Sequence, residues 1–399
     1  LYSIDRAEAS TYADLFRFLN SGFAVLVLDG ADSALVFGIQ GYDKRSVSEP
    51  SGEDNVMGAK DGFIEVVRVN MSLLRRRMKT PQLKLELFVK GSKSQTDLCL
   101  CYMADRVPQS LIAQIKAQLD EMELESILSS GYLQPFLENR RGCLFDTVGT
   151  TQRPDVLCAK LLEGRVGLLI DGTPFALVIP KLFCESFQTM DDYCYRPAYA
   201  TLVRWIKYAA FLVAVLLPAL YVAIALHHPE LLNRTLLLIL ADAEENAPIS
   251  LTAEAIGVLL VYEIIREAGL RLPKAVGGAV SIVAGLIIGD AAVASGLIST
   301  PMLTVTAIAV IAGFVVPDLA QSITLLRLAF LLIAGFWGLF GISLLGAAVL
   351  FNLCAGESFG FPITAPIAPL YKKVFRDTLT RVSFRKMQSG GFTVEEYHE

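Results

Sequence analysis

The side chains with the clearest chemical potential are acidic residues placed among apolar stretches in the second half of the sequence. One acidic group follows the apolar run at 236–240, and further acids lie within the helical pattern of 251–270. Rings of Asp or Glu select cations in channels, so the pattern indicates a cation path with these candidate pore or gating residues: Asp242, Glu244, Glu245, Glu254 and Glu263. For 242–245, a solvated loop among lipid headgroups is the alternative, and both interpretations stay open.

Familiar catalytic and binding patterns are absent from the sequence. It contains no P-loop, no GxGxxG after a strand, no GxSxG, no HExxH and no CxxC pair. Three His are too few for a His-based catalytic centre, and a net charge of −5 gives no support for nucleic-acid binding. The seven Cys, among them Cys99 and Cys101 on one predicted strand, are typical of small buried hydrophobes in a reducing compartment. The sequence therefore predicts no enzyme, no cofactor and no metal site.

Apolar residues dominate the second half and predict an α-helical multi-span membrane domain at 201–361. The chain is 53% hydrophobic with a mean hydropathy of +0.50, and the apolar residues concentrate after Arg204. From 275 to 317 the only charge is Asp290, and a bilayer core needs about 20 apolar residues per helix. The spans are predicted, in order, at 208–226, 275–295, 302–317 and 328–357.

Charge at the ends of these spans predicts four crossings with both chain ends in the cytoplasm. Lys and Arg are more frequent on the cytoplasmic side of membrane spans. In this sequence basic residues precede the first span, and the stretch 372–386 contains six basic residues and one acidic residue. The stretch 251–270 carries Glu254, Glu263, Arg266 and Glu267, which a lipid-facing span could not hold cheaply. We therefore interpret the longer stretch 231–270, in which Pro248 breaks the run, as interfacial helices, or as a broken element packed against protein or a water-filled cavity.

Small residues recur at every fourth position in the predicted span after Pro273. They are Gly277, Ser281, Gly285 and Gly289. Small residues at this spacing let helix backbones approach closely in lipid. The stripe predicts helix packing, or a helix that lies beside a permeation path.

The first half predicts a mixed α/β cytoplasmic region of two subdomains, at 1–80 and 81–200. The first is expected to be truncated at its start, because the chain opens on Leu1 rather than Met. Two hairpins with Asp-Gly turns, at 22–37 and 164–179, share seven of 16 aligned residues, which fits either related subdomains or the general likeness of such hairpins. The basic tail at 362–399 is assigned to the cytoplasm.

Three consecutive arginines end a predicted helix at 62–79. Arg75, Arg76 and Arg77 spread around the helix, so a solvated face is the simplest interpretation. The alternative is a candidate subunit contact or a contact with anionic lipid headgroups.

Motifs in consistent order over residues 20–385 resemble the A subunits of the GerA family, the nutrient germinant receptors of spore-forming bacteria. The matching runs are RSVSEP at 45–50, DGFIE at 61–65, NMSLLRRR at 70–77, SSGY at 129–132, QRPDV at 152–156, LLEGR at 161–165, DGTPFA at 171–176, LLPALY at 216–221 and EIIREAGLRLP at 263–273. Two residues depart from the family pattern: Glu244 stands where Arg is usual, and Leu259 stands where an acidic residue is usual.

The resemblance implies a cytoplasmic N-terminal region, a membrane domain in the inner spore membrane and assembly into a homo-oligomer. It implies a transporter-like B subunit and a lipoprotein C subunit as partners besides membrane lipid, with nutrient sensed mainly by the B subunit and cation release following. Two hypotheses follow. One is a receptor subunit that helps to convert nutrient sensing into ion release, as an oligomeric cation channel. The other is a GerA-like accessory or scaffolding protein of the spore dipicolinate channel.

Overall fold

A computed structural model describes residues 6–20, 23–38, 46–50, 52–53, 55–138, 142–245, 249–272, 285, 287, 289–369, 377–383 and 385. The strands are β1 (Arg6–Ala9), β2 (Ala24–Leu26), β3 (Ala34–Phe37), β4 (Leu83–Lys90), β5 (Thr96–Met103), β6 (Gly149–Thr151), β7 (Val166–Ile170), β8 (Ala176–Ile179), β9 (Glu357–Ser358) and β10 (Phe361–Pro362). The helices are α1 (Tyr12–Asn20), α2 (Val67–Arg77), α3 (Gln109–Asp120), α4 (Gln134–Leu137), α5 (Pro154–Leu162), α6 (Asp191–Cys194), α7 (Pro197–His227), α8 (Arg234–Glu245), α9 (Leu251–Arg271), α10 (Thr300–Phe314) and α11 (Ala320–Cys354).

Within the described residues, the N-terminal part contains a small antiparallel sheet in the order β1-β3-β2. Strands β2 and β3 pair from Ala24–Phe37 to Leu26–Leu35, which confirms the first predicted hairpin. Helix α1 packs Leu15 on the sheet's buried residues, and the Arg17 side chain reaches Asp97 of β5 at 2.9 Å. An ion pair therefore links this small sheet to the larger one.

The larger sheet, in the order β4-β5-β7-β8-β6, is antiparallel throughout the described strands. Alternate residues of β5 point to opposite faces, so Leu98 and Leu100 pack with α3 while Cys99 and Cys101 pack with α2 and α5. Because helices cover both faces, β7 and β8 are buried along their whole length. This architecture confirms the mixed α/β character predicted for the first half.

Two described helical segments, Pro197–His227 and Pro317–Cys354, are long and apolar enough to cross a membrane by length and composition. Thr300–Phe314 is a shorter apolar helix. Helix α7 contains Pro218 and makes the central contact of the bundle, because its small buried residues pack against α11. By length and composition, the described residues therefore support two of the four predicted spans.

Helix α11 folds back on itself at Gly338. That residue has φ 59° and ψ −142°, which interrupts the helical backbone. The Ser322 hydroxyl donates to the Leu144 carbonyl at 2.7 Å, and the Leu144 N–H donates to Asn352 Oδ1 at 3.1 Å. A straight helix would separate Ser322 from Asn352 by about 45 Å, yet both contact one residue. Helix α11 is therefore a hairpin with a rising limb, residues 320–337, and a returning limb, residues 339–354.

The contacts of the hairpin define two ends of the bundle. At the far end, His227 at the end of α7 lies 3.0 Å from the Gly335 carbonyl through Nε2. At the junction end, the bases of both limbs meet Leu144 of the α/β region. Helix α7 therefore rises from the junction end, where its first turns lie, to the far end.

Helices α9 and α10 both run from the far end to the junction end. Thr252 of α9 lies against Gly335, and Glu263 lies against Thr324 of the rising limb. Gly313, near the end of α10, lies against Ile323. Among the described residues, α7, α9, α10 and the two limbs of α11 therefore each pass once between the two ends of the bundle. The chain enters and leaves the bundle on the junction side.

This path bears on two of the sequence predictions. The stretch 231–270, expected to be interfacial helices or a broken element packed against protein, contains two separate helices, α8 and α9, and α9 packs inside the bundle through Leu251, Ala255 and Leu259. The stretch expected to be one span, at 328–357, is mostly the folded hairpin. The span predicted at 275–295 lies largely outside the described residues.

Candidate functional site

Glu254 is buried in the first turn of α9, with 2% of its surface exposed. Its Oε1 atom accepts hydrogen bonds from the Ser299 N–H at 2.6 Å and from the Ser299 hydroxyl at 2.8 Å. Ser299 is the N-cap of α10. A helix N-terminus favours negative charge because its first N–H groups lack helical partners. The carboxylate therefore joins the beginnings of two helices at the far end.

Glu263 is the counter-ion of an arginine buried between α9 and the rising limb. Arg327 is 3% exposed, and its Nη2 atom lies 3.2 Å from Glu263 Oε1. The Thr324 hydroxyl donates to the same oxygen at 3.1 Å, while Arg266 Nη2 lies 2.7 Å from Oε2. The Arg327 guanidinium also lies over the Tyr262 ring. Buried charges need partners of this kind, so the cluster fixes α9 against the hairpin.

The remaining predicted pore acids lie at the end of α8, which follows the far end of α7. The structure places Asp242, Glu244 and Glu245 in the last helical turn, and their side chains lie outside the described part of the chain. Their role in a cation path stays a prediction.

The small-residue stripe is only partly within the described residues. Gly277 and Ser281 lie outside them. Gly289 faces Leu303 of α10, at 3.8 Å from the position that a Cβ would take, and Gly285 is exposed with no described heavy atom within 4 Å of that position. A packing role for the stripe stays a prediction.

The predicted arginine cluster ends α2. Arg76 and Arg77 both bind the Asp61 carboxylate, Arg76 at 2.6 Å, and Arg75 Nη1 donates to the Thr80 carbonyl at 3.3 Å. These contacts hold the loop before α2 against the end of the helix. A subunit contact through the exposed part of Arg76 stays a prediction.

The junction end contains an ionic cluster that sequence reasoning missed. Arg204 of α7 is 0% exposed; its Nε atom lies 3.0 Å from Asp192, and its Nη1 atom lies 3.0 Å from Asp377. Lys207 Nζ lies 3.3 Å from the other oxygen of Asp192. The Trp205 indole N–H donates to the Leu379 carbonyl at 3.0 Å. The segment 377–383 is thereby bound to the base of α7. Its sequence signal was Asp377, the single acid within the basic stretch 372–386.

A second buried cluster stabilises the α/β region beside this junction. Glu185 accepts from Arg165 Nη1 at 2.6 Å and from Lys160 Nζ at 2.9 Å. Burial opposes ionisation of the carboxyl, but the two cations outweigh it and lower the pKa of Glu185 to about 2. The Arg165 guanidinium also donates to the Pro180 carbonyl at 2.9 Å. The cluster therefore holds α5 and β7 against the chain after β8.

The described residues contain no group of three or more His, Cys, Asp or Glu that could hold a metal ion. Their buried charges instead join helices to one another and to the α/β region. An α/β region joined to an apolar helical bundle with paired internal charges defines the class of the molecule: a membrane-associated protein.

The comparisons with known proteins identify the family within that class. The model of the Bacillus/Clostridium GerA spore germination protein family matches residues 1–390, so the chain belongs to the GerA family and the resemblance seen in the sequence is confirmed. Spore germination protein KA of Bacillus subtilis (strain 168) is 38% identical over 380 residues, which cover 94% of this chain and 70% of that protein. Spore germination protein GerLA of Bacillus cereus is 32% identical, over 94% of this chain and 77% of that protein.

Two further matches are a protein named only as a membrane protein and a crystal structure of an N-terminal domain. The uncharacterized membrane protein YfkQ of Bacillus subtilis (strain 168) is 37% identical, over 92% of this chain and 72% of that protein. A crystal structure of the N-terminal domain of the A subunit of the Bacillus megaterium spore germinant receptor GerK3 is 32% identical. The match covers 45% of this chain and 64% of that one, with a TM-score of 0.26.

Proposed function

We propose that this chain is a membrane subunit of a spore germinant receptor that helps to convert nutrient sensing into ion release. It acts in the inner spore membrane as a homo-oligomer that conducts cations, together with a transporter-like B subunit and a lipoprotein C subunit. Membership in the GerA family and the names of the germination relatives support the process. The apolar segments of α7 and α11 support the location.

We place the junction end and both chain termini in the cytoplasm. The entry of α7 carries Arg204 and Lys207, and the chain returns to the same end after the hairpin. Positive residues favour the cytoplasmic side of a membrane. Both termini on one side require an even number of crossings, as in the four crossings expected from the sequence.

One observation supports the proposal of an oligomer: charged side chains reach the surface of the bundle. Glu263 and Arg266 form an ion pair, and their side chains are 23% and 32% exposed. Exposure of such groups to hydrocarbon is expensive, so they face protein or water in a membrane. A neighbouring copy of the bundle or a water-filled path between copies supplies that environment.

Cation selection is assigned to the acids at the end of α8 rather than to this cluster. Glu263 is outnumbered by two guanidinium groups, those of Arg266 and Arg327, so the cluster does not attract cations. The group Asp242, Glu244 and Glu245 carries three acids within four residues. Repeated around a pore in several copies, these acids would concentrate cations at one membrane surface.

The test measures potassium and dipicolinate release from spores after a nutrient mixture is added. Spores that lack the chain should release neither. Glu245→Gln keeps the shape and removes the charge, so potassium release should slow while the chain remains at its normal level in the membrane. Glu230→Gln is the control, because Glu230 is an exposed acidic residue that, like Glu245, follows the C-terminal end of α7. Normal potassium release in Glu245→Gln spores would contradict the cation path.

A second candidate function is an accessory or scaffolding role at the dipicolinate channel. It is favoured by the two acids of α9, Glu254 and Glu263, which both bind partners within the chain as structural residues do. The relative YfkQ is named only as a membrane protein, so family membership leaves this role open. Spores that lack the chain would then release potassium normally and dipicolinate slowly. Neighbouring genes for B and C subunits favour the receptor, and channel-operon genes favour the accessory role.

A further inference from the structure

The backbone of one loop residue joins the bases of both limbs of the α11 hairpin. The Leu144 carbonyl accepts from Ser322 of the rising limb, and its N–H donates to Asn352 of the returning limb. Asn352 Nδ2 also donates to the Gly142 carbonyl at 3.0 Å. Both limbs can keep these bonds only while their bases lie within reach of one residue. Separation of the limbs must break at least one bond.

The same loop is anchored to the α/β region immediately afterwards. The Phe145 ring is buried and lies 4.8 Å from the Phe183 ring, in an apolar cluster shared with the bundle. The Thr147 carbonyl accepts from the Lys181 N–H at 2.9 Å and from the Ser358 hydroxyl at 3.2 Å. The loop is therefore fixed both to the chain after β8 and to the chain after the hairpin.

Beyond Thr147 the loop becomes β6, the edge strand of the larger sheet. The Thr151 hydroxyl donates to Glu53 Oε2 at 2.8 Å, and the Gln152 N–H donates to Glu53 Oε1 at 3.1 Å. Arg153 then donates to the Ala59 carbonyl at 2.9 Å. The twelve consecutive residues 142–153 thus connect the base of the hairpin, through a sheet edge, to Glu53 and Ala59 of a polar loop before α2.

We infer that residues 142–147 form a coupling segment, through which the spacing of the two hairpin limbs and the position of β6 control each other. Asn352 is the positioning residue, because its amide holds the backbone at two points of the segment. A change in the polar loop or β6 shifts the segment and favours one spacing of the limbs. A change in limb spacing shifts β6 in return, since coupling between two sites is reciprocal. This role rests on the proposed function in ion release.

The test uses Asn352→Leu in the full chain, with Ser343→Ala as the control. Leu keeps a similar size but removes both hydrogen bonds to the segment, whereas Ser343 is an exposed residue of the same limb whose hydroxyl bonds only to the Phe340 carbonyl among the described contacts. Hydrogen exchange is measured on the purified chain in detergent. Amides of Gly149–Thr151 should exchange about tenfold faster in Asn352→Leu, as the loss of a supporting hydrogen bond allows. Amides of Leu83–Lys90 and Thr96–Met103 should not change.

The same variants are then compared in spores. Coupling predicts slower potassium release in Asn352→Leu spores, at an unchanged level of the chain in the membrane, and normal release in Ser343→Ala spores. Unchanged exchange in Gly149–Thr151 overturns the inference, and so does faster exchange with normal release wherever spores without the chain release potassium slowly. If Asn352→Leu fails to accumulate, Ser322→Ala, which removes only the bond from the rising limb, is measured in the same two ways and decides. Spores without the chain are measured alongside; their normal potassium release would refute the proposed function, while the exchange result still decides on coupling.

Discussion

The fold-back at Gly338 makes a strong prediction about a single methyl group. In Gly338→Ala the side chain would have to adopt φ 59° and ψ −142°, which is essentially a glycine conformation. The new Cβ would lie 2.9 Å from His227 Cβ and 3.0 Å from Cγ, well inside the contact distance of about 3.5–4.0 Å. Backbone strain costs about 1–3 kcal/mol, and overpacking costs about 1–3 kcal/mol more. We expect Gly338→Ala to lower the free energy of unfolding by about 2–6 kcal/mol.

The matched control is Gly346→Ala in the returning limb. Gly346 is helical and has no described heavy atom within 4 Å of its Cβ position. Alanine is a better helix former than glycine by about 0.5–1 kcal/mol, so this variant should be slightly more stable than the parent. Thermal unfolding of the full chain in detergent compares the two variants. Equal unfolding midpoints for the two variants would refute the strain argument.

A distance measurement tests the hairpin directly. Spin labels are placed at Leu325→Cys and Leu350→Cys, two exposed positions on opposite limbs, after the seven native cysteines are replaced. A straight helix would separate the two backbones by about 38 Å. Packed limbs have axes about 8–10 Å apart, so the labels should report a distance under about 20 Å. A label distance near the straight-helix value in the parent chain would show that α11 does not fold back.

Three further outcomes follow from the buried charges and the two tryptophans. Glu263→Gln leaves its arginine partner buried without a counter-ion and should lower the free energy of unfolding by about 3–5 kcal/mol. Glu267→Gln, which breaks an exposed pair, should lower it by under about 1 kcal/mol. Equal unfolding midpoints of the two variants in detergent would contradict this. Because the fold lowers the pKa of Glu185 to about 2, below the unfolded value of about 4.3, its pairing stabilises the fold above that unfolded value and is lost as the pH falls towards 2. The stability gap between parent and Glu185→Gln should close over that range, and a constant gap would disprove the assignment. In Trp205→Phe, the exposed Trp337 beside the fold-back is the one remaining tryptophan, and brominated lipids should quench its emission in liposomes; unquenched emission would place this end of the bundle in water.

Local patterns in the sequence predicted much of the α/β region. The sequence predicts strands at 83–89 and 97–103 and a helix at 108–119, and the structure has strands at Leu83–Lys90 and Thr96–Met103 and a helix at Gln109–Asp120. Their signals are local, since side-chain alternation marks a strand and proline marks a helix start. The Asp-Gly turns also placed both hairpins, because Gly172 adopts the positive φ that such a turn needs.

The contacts of the bundle were harder to predict from the sequence, since they join residues that are distant in sequence. Apolar residues continue on both sides of Gly338, so hydropathy indicates one long helix where the structure has two limbs. The acids of α9 argued against a lipid-facing span, and Glu254 and Glu263 indeed find partners within the protein, in Ser299 and Arg327. A charged residue in an apolar helix indicates that a partner is required, but it does not identify that partner.

The contact between Arg204 and Asp377 has a consequence for the order of biosynthesis. The two residues are 173 positions apart, and the whole helical bundle lies between them. At about 5–20 residues per second, translation takes about 9–35 s to pass from one to the other. During that interval the base of α7 has Asp192 as a partner but lacks the segment 377–383. The ionic cluster at the base of α7 can therefore be completed only after Asp377 has been synthesised, later than all the described helices from α7 to α11.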